Sequence, residues 1–290
     1  MMKPMKLHMA VTLPLIFLAA ASGQTRFAFF PLDNGVGRGE WTPDVQAQTV
    51  KELGYAGIGY NYIADRPDLV AAWRHELEKR GLKLFSLYIY TFPDKPEADR
   101  YPAKLREAIA ALKGSGTVIW MTLREVKDKQ KTGYDEVCVK MVNEVAGWAS
   151  ESGLKVALYG HLGFYVANAE EALRIVKKSG RPDVGVTLNL CHELMQNNGG
   201  RLDDIVRQVA PRLFLVTVSG ADQGGKPGGY IQRLDQGNFD VYGFLKNLKE
   251  AGYSGPVGLQ CVGIKGDIRE NLERSKRAWD GYMSQLWDRL

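Results

Sequence analysis

The feature that most constrains this chain is an unbroken alternation of strand-length apolar runs with stretches of helical periodicity. The runs occupy residues 27–32, 56–60, 82–90, 117–123, 155–159, 184–190, 213–218 and 256–261. Runs that are apolar at consecutive positions suit strands covered on both faces, and a helix after each strand returns the chain for a parallel partner. Eight such units close into a single α/β domain, a (β/α)8 barrel. An open doubly wound sheet would call for a G-x-G-x-x-G turn after the first strand and a break in composition between halves, and the sequence has neither.

Punctuation between the runs agrees with this reading. Thr42-Pro43-Asp44 reads as an N-cap with proline in the first turn, and Gly54 closes that helix. Arg66-Pro67-Asp68 opens a second helix with Leu69, Ala72, Trp73 and Leu77 on one face and Gly81 as its stop. Residues 134–152 place Val137, Met141, Val145 and Trp148 at helical spacing and end at Gly153. Further helices are expected over 169–178, 240–251 and 268–286, with a short one near 202–209. The glycine-rich stretch 219–237, with Lys226 in it, reads as a mobile loop after the seventh strand.

The first 23 residues have a different character. Lys3 and Lys6 precede an uncharged apolar stretch from Met9 to Ala21, and Ala19-Ala20-Ala21 offers a small-residue cleavage pattern. This is the layout of a secretory signal peptide, too short to span a bilayer comfortably. Residues 24–290 would then form the barrel, secreted or periplasmic, with no stable membrane insertion once the leader is cut. The formal charge of +5 drops by two when Lys3 and Lys6 leave, and the remaining basic residues are scattered, which argues against nucleic acid as a partner. The cysteines Cys138, Cys191 and Cys261 are odd in number and irregular in spacing. With Cys191 ending the sixth strand and Cys261 the eighth, two strands apart, free thiols are expected.

Barrels of this class carry their chemistry at the C-terminal ends of the strands. The polar residues there are Asp33, Asn34, Asn61, Tyr88, Tyr90, Arg124, Glu125, Tyr159, His161, Asn189, His192, Ser219, Asp222 and Gln260. His161 and His192 close neighbouring strands and are the candidate catalytic acid and base, since imidazole titrates near neutrality. A histidine there can instead simply satisfy a strand-end backbone group. His8, in the leader, and His75, on an exposed helix, are set aside. Tyr60, Tyr62, Tyr88, Tyr90, Tyr159, Phe164 and Tyr165 could stack on a sugar ring or fill the barrel.

From Leu154 to Trp279 the segments "GVTLNLCH", "PRLFLVTVSGAD", "LDQGNFDVYGFLKNLKEAGYSGPVGLQ" and "NLERSKRAW" resemble the xylose-isomerase-like family of sugar-phosphate isomerases and epimerases. The resemblance implies a divalent metal held by Glu, Asp, His and Glu at the ends of strands five to eight, with strand six ending D-x-x-H. Carried over, those ligands fall on Tyr159, Asn189, Ser219 and Gln260, and only the histidine of D-x-x-H survives, as His192. Neutral side chains cannot offset the dehydration of a divalent ion, so no cofactor is expected. A substitute divalent metal site would have to draw on His161, His192, Cys191, Glu125, Glu193 or Asp222. The amides can still bind hydroxyls, and Tyr159, Asn189, Ser219, Gln260, Glu125 and Asn61 are the expected substrate-binding residues for a small carbohydrate. The expected function is an exported isomerase, epimerase or lyase acting on a free, oxidised or glycosidic sugar without the usual metal. The alternative is a non-catalytic sugar-binding barrel. The family's DNA-repair branch would need a zinc-ligand cluster that this sequence lacks.

Overall fold

The computed structural model describes residues 26–61, 63–127, 132–224 and 229–288; the leader, Tyr62 and Lys226 lie outside them. The chain forms eight parallel strands: β1 Phe29–Pro31, β2 Gly57–Asn61, β3 Lys83–Thr91, β4 Val118–Leu123, β5 Lys155–Tyr159, β6 Val184–Asn189, β7 Leu213–Val218 and β8 Val257–Leu259. Their order runs β1-β8-β7-β6-β5-β4-β3-β2, so every neighbouring pair is sequential and β8 returns to β1. The remaining seam, between β1 and β2, is joined by Ala56 N–H donating to the Phe29 carbonyl (2.8 Å) and by a parallel bridge between Leu32 and Gly59. This is the expected (β/α)8 barrel.

The helices are α1 Pro43–Glu52, α2 Pro67–Glu78, α3 Leu105–Ala111, α4 Asp135–Glu151, α5 Ala169–Ser179, α6 Leu190–Met195, α7 Leu202–Val209, α8 Val241–Glu250 and α9 Ile268–Trp287. Side-chain caps fix several starts: Thr42 accepts from Val45 N–H, Asn168 from Glu171 N–H, Asp240 from Gly243 N–H and Asp267 from Glu270 N–H. Two helices depart from the expectation. The two-turn α3, which buries Leu105, Ala108 and Ile109, was not foreseen. In addition, strand six stops at Asn189, so Cys191 and His192 lie in the first turn of α6 rather than at a strand end. On α2 the core contacts come from Val70 and Leu77, while Ala72 faces solvent. The three cysteines are free and buried, and burial raises each thiol to about 12.

Two apolar layers result. The larger lies between sheet and helices; the smaller fills the barrel with Phe30, Leu32, Phe85, Tyr88, Trp120, Ala157, Tyr159 and Leu215. Large rings fit inside only because other strands contribute almost no side chain at the same level. A Cβ on Gly59 would lie 2.5 Å from Ser86 Oγ and 2.9 Å from both Leu32 Cδ2 and Phe30 Cε2, and one on Gly258 would lie 3.0 Å from Phe30 Cζ. Gly59→Ala should therefore overpack the barrel and cost about 1–3 kcal/mol. The effect would be read as a lower urea midpoint, and adding Phe30→Leu should recover part of it. An unchanged midpoint in the single variant would contradict the tight-layer reading.

Candidate functional site

Above the ring-filled interior a cavity of about 300 Å³ opens at the C-terminal ends of the strands, lined among others by Asn61, Tyr88, Tyr90, Trp120, Tyr159, His161, His192 and Gln260. Its floor is a mutual edge-to-face cluster. Tyr88 and Trp120 have ring centroids 5.6 Å apart, Tyr88 and Tyr159 5.1 Å, and Trp120 and Tyr159 4.4 Å. Trp120 is locked by donating from Nε1 to Thr187 Oγ1 across the barrel (2.6 Å).

The two histidines meet at this floor. Their ring centroids are 4.1 Å apart, and Tyr159 stands edge-on to His192 at 5.7 Å. One residue, Leu162, orients both. Its carbonyl lies 2.8 Å from His161 Nδ1, and its N–H donates to His192 Nδ1 at 3.4 Å. A carbonyl only accepts and an N–H only donates, so His161 carries its proton on Nδ1 and His192 on Nε2. The two remaining nitrogens are complementary: a lone pair on His161 Nε2 and a hydrogen on His192 Nε2. Phe164 stacks on the other face of His161 (4.1 Å, 18°) and in turn lies under the Arg124 guanidinium (4.7 Å), which also covers Tyr90 at 4.5 Å. Burial lowers the His161 pKa, with Arg124 adding to the shift; burial and the neighbouring His161 push His192 down to about 3.

The other expected site residues divide into two groups. Tyr159, Asn61 and Gln260 line the cavity. Gln260 Oε1 collects the Cys261 N–H (3.0 Å), the Val262 N–H (3.3 Å) and Asn34 Nδ2 (3.2 Å), which leaves its own NH2 for a ligand. Asn61 donates its backbone N–H to Asp33 and accepts from Arg38 on its amide oxygen (3.1 Å). Asp33 and Arg38 are paired at 2.6 Å and 2.9 Å, and burial keeps the Asp33 pKa raised against that pairing. This clamp holds the mouth of β2.

Asn189, Ser219 and Glu125 are not among the residues lining the cavity. Asn189 is buried beside it and accepts from Thr217 Oγ1, with its Nδ2 buried and unpartnered; Asn34 Oδ1 is likewise buried and unpartnered. Ser219 donates to the Tyr230 carbonyl (3.2 Å). Glu125 forms a two-bond pair with Arg124 (2.8 Å each) that lowers its pKa to about 2, and it lines a separate cavity of about 220 Å³ with Tyr165 and Glu171. Glu193 accepts from the Ala169 N–H at the start of α5 and from Asn198, and burial raises its pKa. No group of three or more His, Cys, Asp or Glu among the described residues is arranged to hold a metal ion.

The stretch 219–237 is pinned at its base by paired backbone bonds between Gly220 and Gln232 and sends Ile231 to the cavity; residues 225–228 lie outside the described residues. Trp120, Leu162, Met195, Ile231 and Val262 line the site unforeseen. Period-two counting along β4 would have pointed Trp120 inward with Thr122.

The family profile described as Xylose isomerase-like TIM barrel matches residues 47–278. The chain belongs to the xylose isomerase-like TIM barrel family. Solved structures share its fold. A 3-keto-D-glucoside 4-epimerase from E. coli superposes with a TM-score of 0.72 at 13% identity, over 88% of this chain and 98% of that one. A D-allulose 3-epimerase from Methylomonas sp., in complex with D-allulose, gives 0.70 at 17%, over 89% and 97%. A xylose isomerase-like TIM barrel/4-hydroxyphenylpyruvate dioxygenase fusion protein gives 0.69 at 17%, over 90% of this chain, which spans 44% of the fusion. No curated protein sequence matches the chain.

A neutral buried imidazole has a consequence for stability. An unfolded histidine titrates near 6.5 and His192 near 3 when folded, so the unfolded chain takes up its proton first as pH falls. The contribution is complete above the unfolded value, is lost progressively down to about pH 3, and amounts to at most about 5 kcal/mol. Unfolding free energies in urea at pH 7 and pH 4.5 should differ more in the wild type than in His192→Gln. Equal differences would mean that His192 titrates normally.

Proposed function

We propose that this protein is a sugar isomerase or epimerase acting on a free or oxidised carbohydrate by histidine acid/base chemistry, without the family's usual divalent metal. The observation that carries the proposal is the complementary imidazole pair at the mouth of the barrel. His161 Nε2 is a base, its lowered pKa keeping the lone pair free at neutral pH. His192 is neutral throughout the working range, and its Nε2–H suits a hydrogen bond to a carbonyl oxygen that becomes an enediolate.

In this reading His161 takes the proton from the carbon beside the carbonyl, the C–H electron pair forms the new carbon–carbon double bond as the carbonyl π pair moves onto oxygen, and His192 stabilises the charge there. The protonated His161 then returns its proton to the former carbonyl carbon, while the hydroxyl proton on the first carbon passes to the charged oxygen and leaves a new carbonyl behind. Because one base, His161, serves both steps, removal and return occur on one face of the sugar, which is isomerisation; epimerisation would need an acid on the opposite face. The edge-to-face floor offers ring surfaces to the sugar. The Gln260 NH2, on the cavity wall, is a valence for its hydroxyls.

The family's metal does not fit this donor set. Tyr159, Asn189, Ser219 and Gln260 provide no charged ligand, the Asn189 and Gln260 amide oxygens already accept hydrogen bonds, and Ser219 is bonded to a carbonyl. The sugar-epimerase names among the structural relatives are consistent with a carbohydrate substrate. Residues 1–23 are read as a cleaved leader to the periplasm or exterior, which favours sugars without phosphate. Among the described residues no helix is long and apolar enough to cross a membrane.

The test is NMR of candidate sugars incubated with the protein in D2O, where turnover places deuterium on the carbon beside the carbonyl even without net conversion. Exchange should fall about 10²–10⁴-fold in His161→Ala. It should also decline as pH drops through a single pKa below 6.5. A sugar that binds but never exchanges would make this a non-catalytic carbohydrate-binding barrel, the reading that the loss of charged ligands also favours.

A further inference from the structure

Among the described residues only three large hydrophobic side chains are strongly exposed, and two of them, Leu162 (45%) and Val262 (52%), sit on the rim of the histidine cavity. Met195 from α6 and Ile231 from the loop after β7 join them, so the segments following β5, β6, β7 and β8 each contribute one apolar side chain to the same mouth. Scattered exposed apolar residues are ordinary on protein surfaces, whereas a contiguous group on a ligand cavity calls for a partner. These side chains are also held in place. Leu162 bonds both histidines through its backbone, and the Val262 N–H bonds Gln260 Oε1 (3.3 Å), so each turns its polar backbone toward the site and its side chain toward the opening. The cavity is thus layered, with hydrogen-bonding groups and rings below and an aliphatic collar above.

Resting on the carbohydrate reading above, we infer that the substrate carries an apolar substituent, an aryl or alkyl group at the end of the sugar that faces solvent. A bare sugar would place hydroxyls or water against Leu162, Met195, Ile231 and Val262. An apolar group there removes both its own surface and the collar's from water.

The test compares matched methyl and phenyl glycosides of several hexoses oxidised to a ring ketone, which keep the carbonyl that the proposed chemistry needs, in both anomers, by calorimetric titration of the full protein, with phenol as a control. For the best-bound sugar the phenyl glycoside should bind at least about tenfold tighter than the methyl. That ratio should collapse toward one in the Leu162→Ser, Val262→Ser double variant. A ratio is insensitive to a partly unfolded sample, so a destabilised variant still reports. Equal affinities in the wild type, or a ratio that survives the double substitution, would overturn the inference while leaving the sugar reading intact. Phenol binding as tightly as the phenyl glycosides, or no binding by any pair, would overturn the sugar reading itself.

Discussion

The filled barrel interior is the constraint on which the rest of the structure depends. A closed ring of eight strands has room for only a few large side chains per layer, and here aromatic rings take that room while Gly59 and Gly258 yield it. Trp120 is fixed by its bond to Thr187, Tyr88 and Tyr159 are fixed against Trp120, and His192 rests edge-on against Tyr159. The packing that stabilises the barrel thereby continues without interruption into the groups that would do chemistry.

Charge is handled differently above and below that floor. The ionised groups near the mouth are paired away from the cavity: Asp33 with Arg38, Glu125 with Arg124. What remains in the cavity is two neutral imidazoles, amides and tyrosines. Such a lining is poor at holding a divalent cation and well suited to polarising a carbonyl by hydrogen bonding in a partly dehydrated space. The single residue Leu162 links these features, setting both histidine tautomers with its backbone and lining the rim with its side chain.

Most of the fold was legible because the buried strands announce themselves as apolar runs and the first helix begins with Thr42-Pro43-Asp44. The break between β6 and α6 was not, since Leu190-Cys191-His192-Glu193-Leu194-Met195 continues the apolar run with no glycine or proline to mark the change of period. Helix α3 escaped because two turns give too few repeats for a periodic signal. Tyr159 and Asn61 could be found as strand-end polar residues and His161 and Gln260 as polar residues just past strand ends, whereas His192 reaches the cavity from the first turn of α6. Glu125 could not be placed that way, because its neighbour Arg124 draws it into an ion pair over the Tyr90 and Phe164 rings. The aliphatic collar was invisible in sequence, where an exposed Leu162 and a buried leucine are written alike.

The central claim is that His161 and His192 form a neutral pair of opposite tautomers held by Leu162. Imidazole 15N NMR of the protein across pH 4 to 8 reads tautomer and charge directly at each ring. The account predicts a proton on Nδ1 of His161, a proton on Nε2 of His192, a midpoint for His161 below 6.5, and no midpoint for His192 within the range. Two histidines titrating together near 6.5, or the same tautomer in both rings, would contradict it.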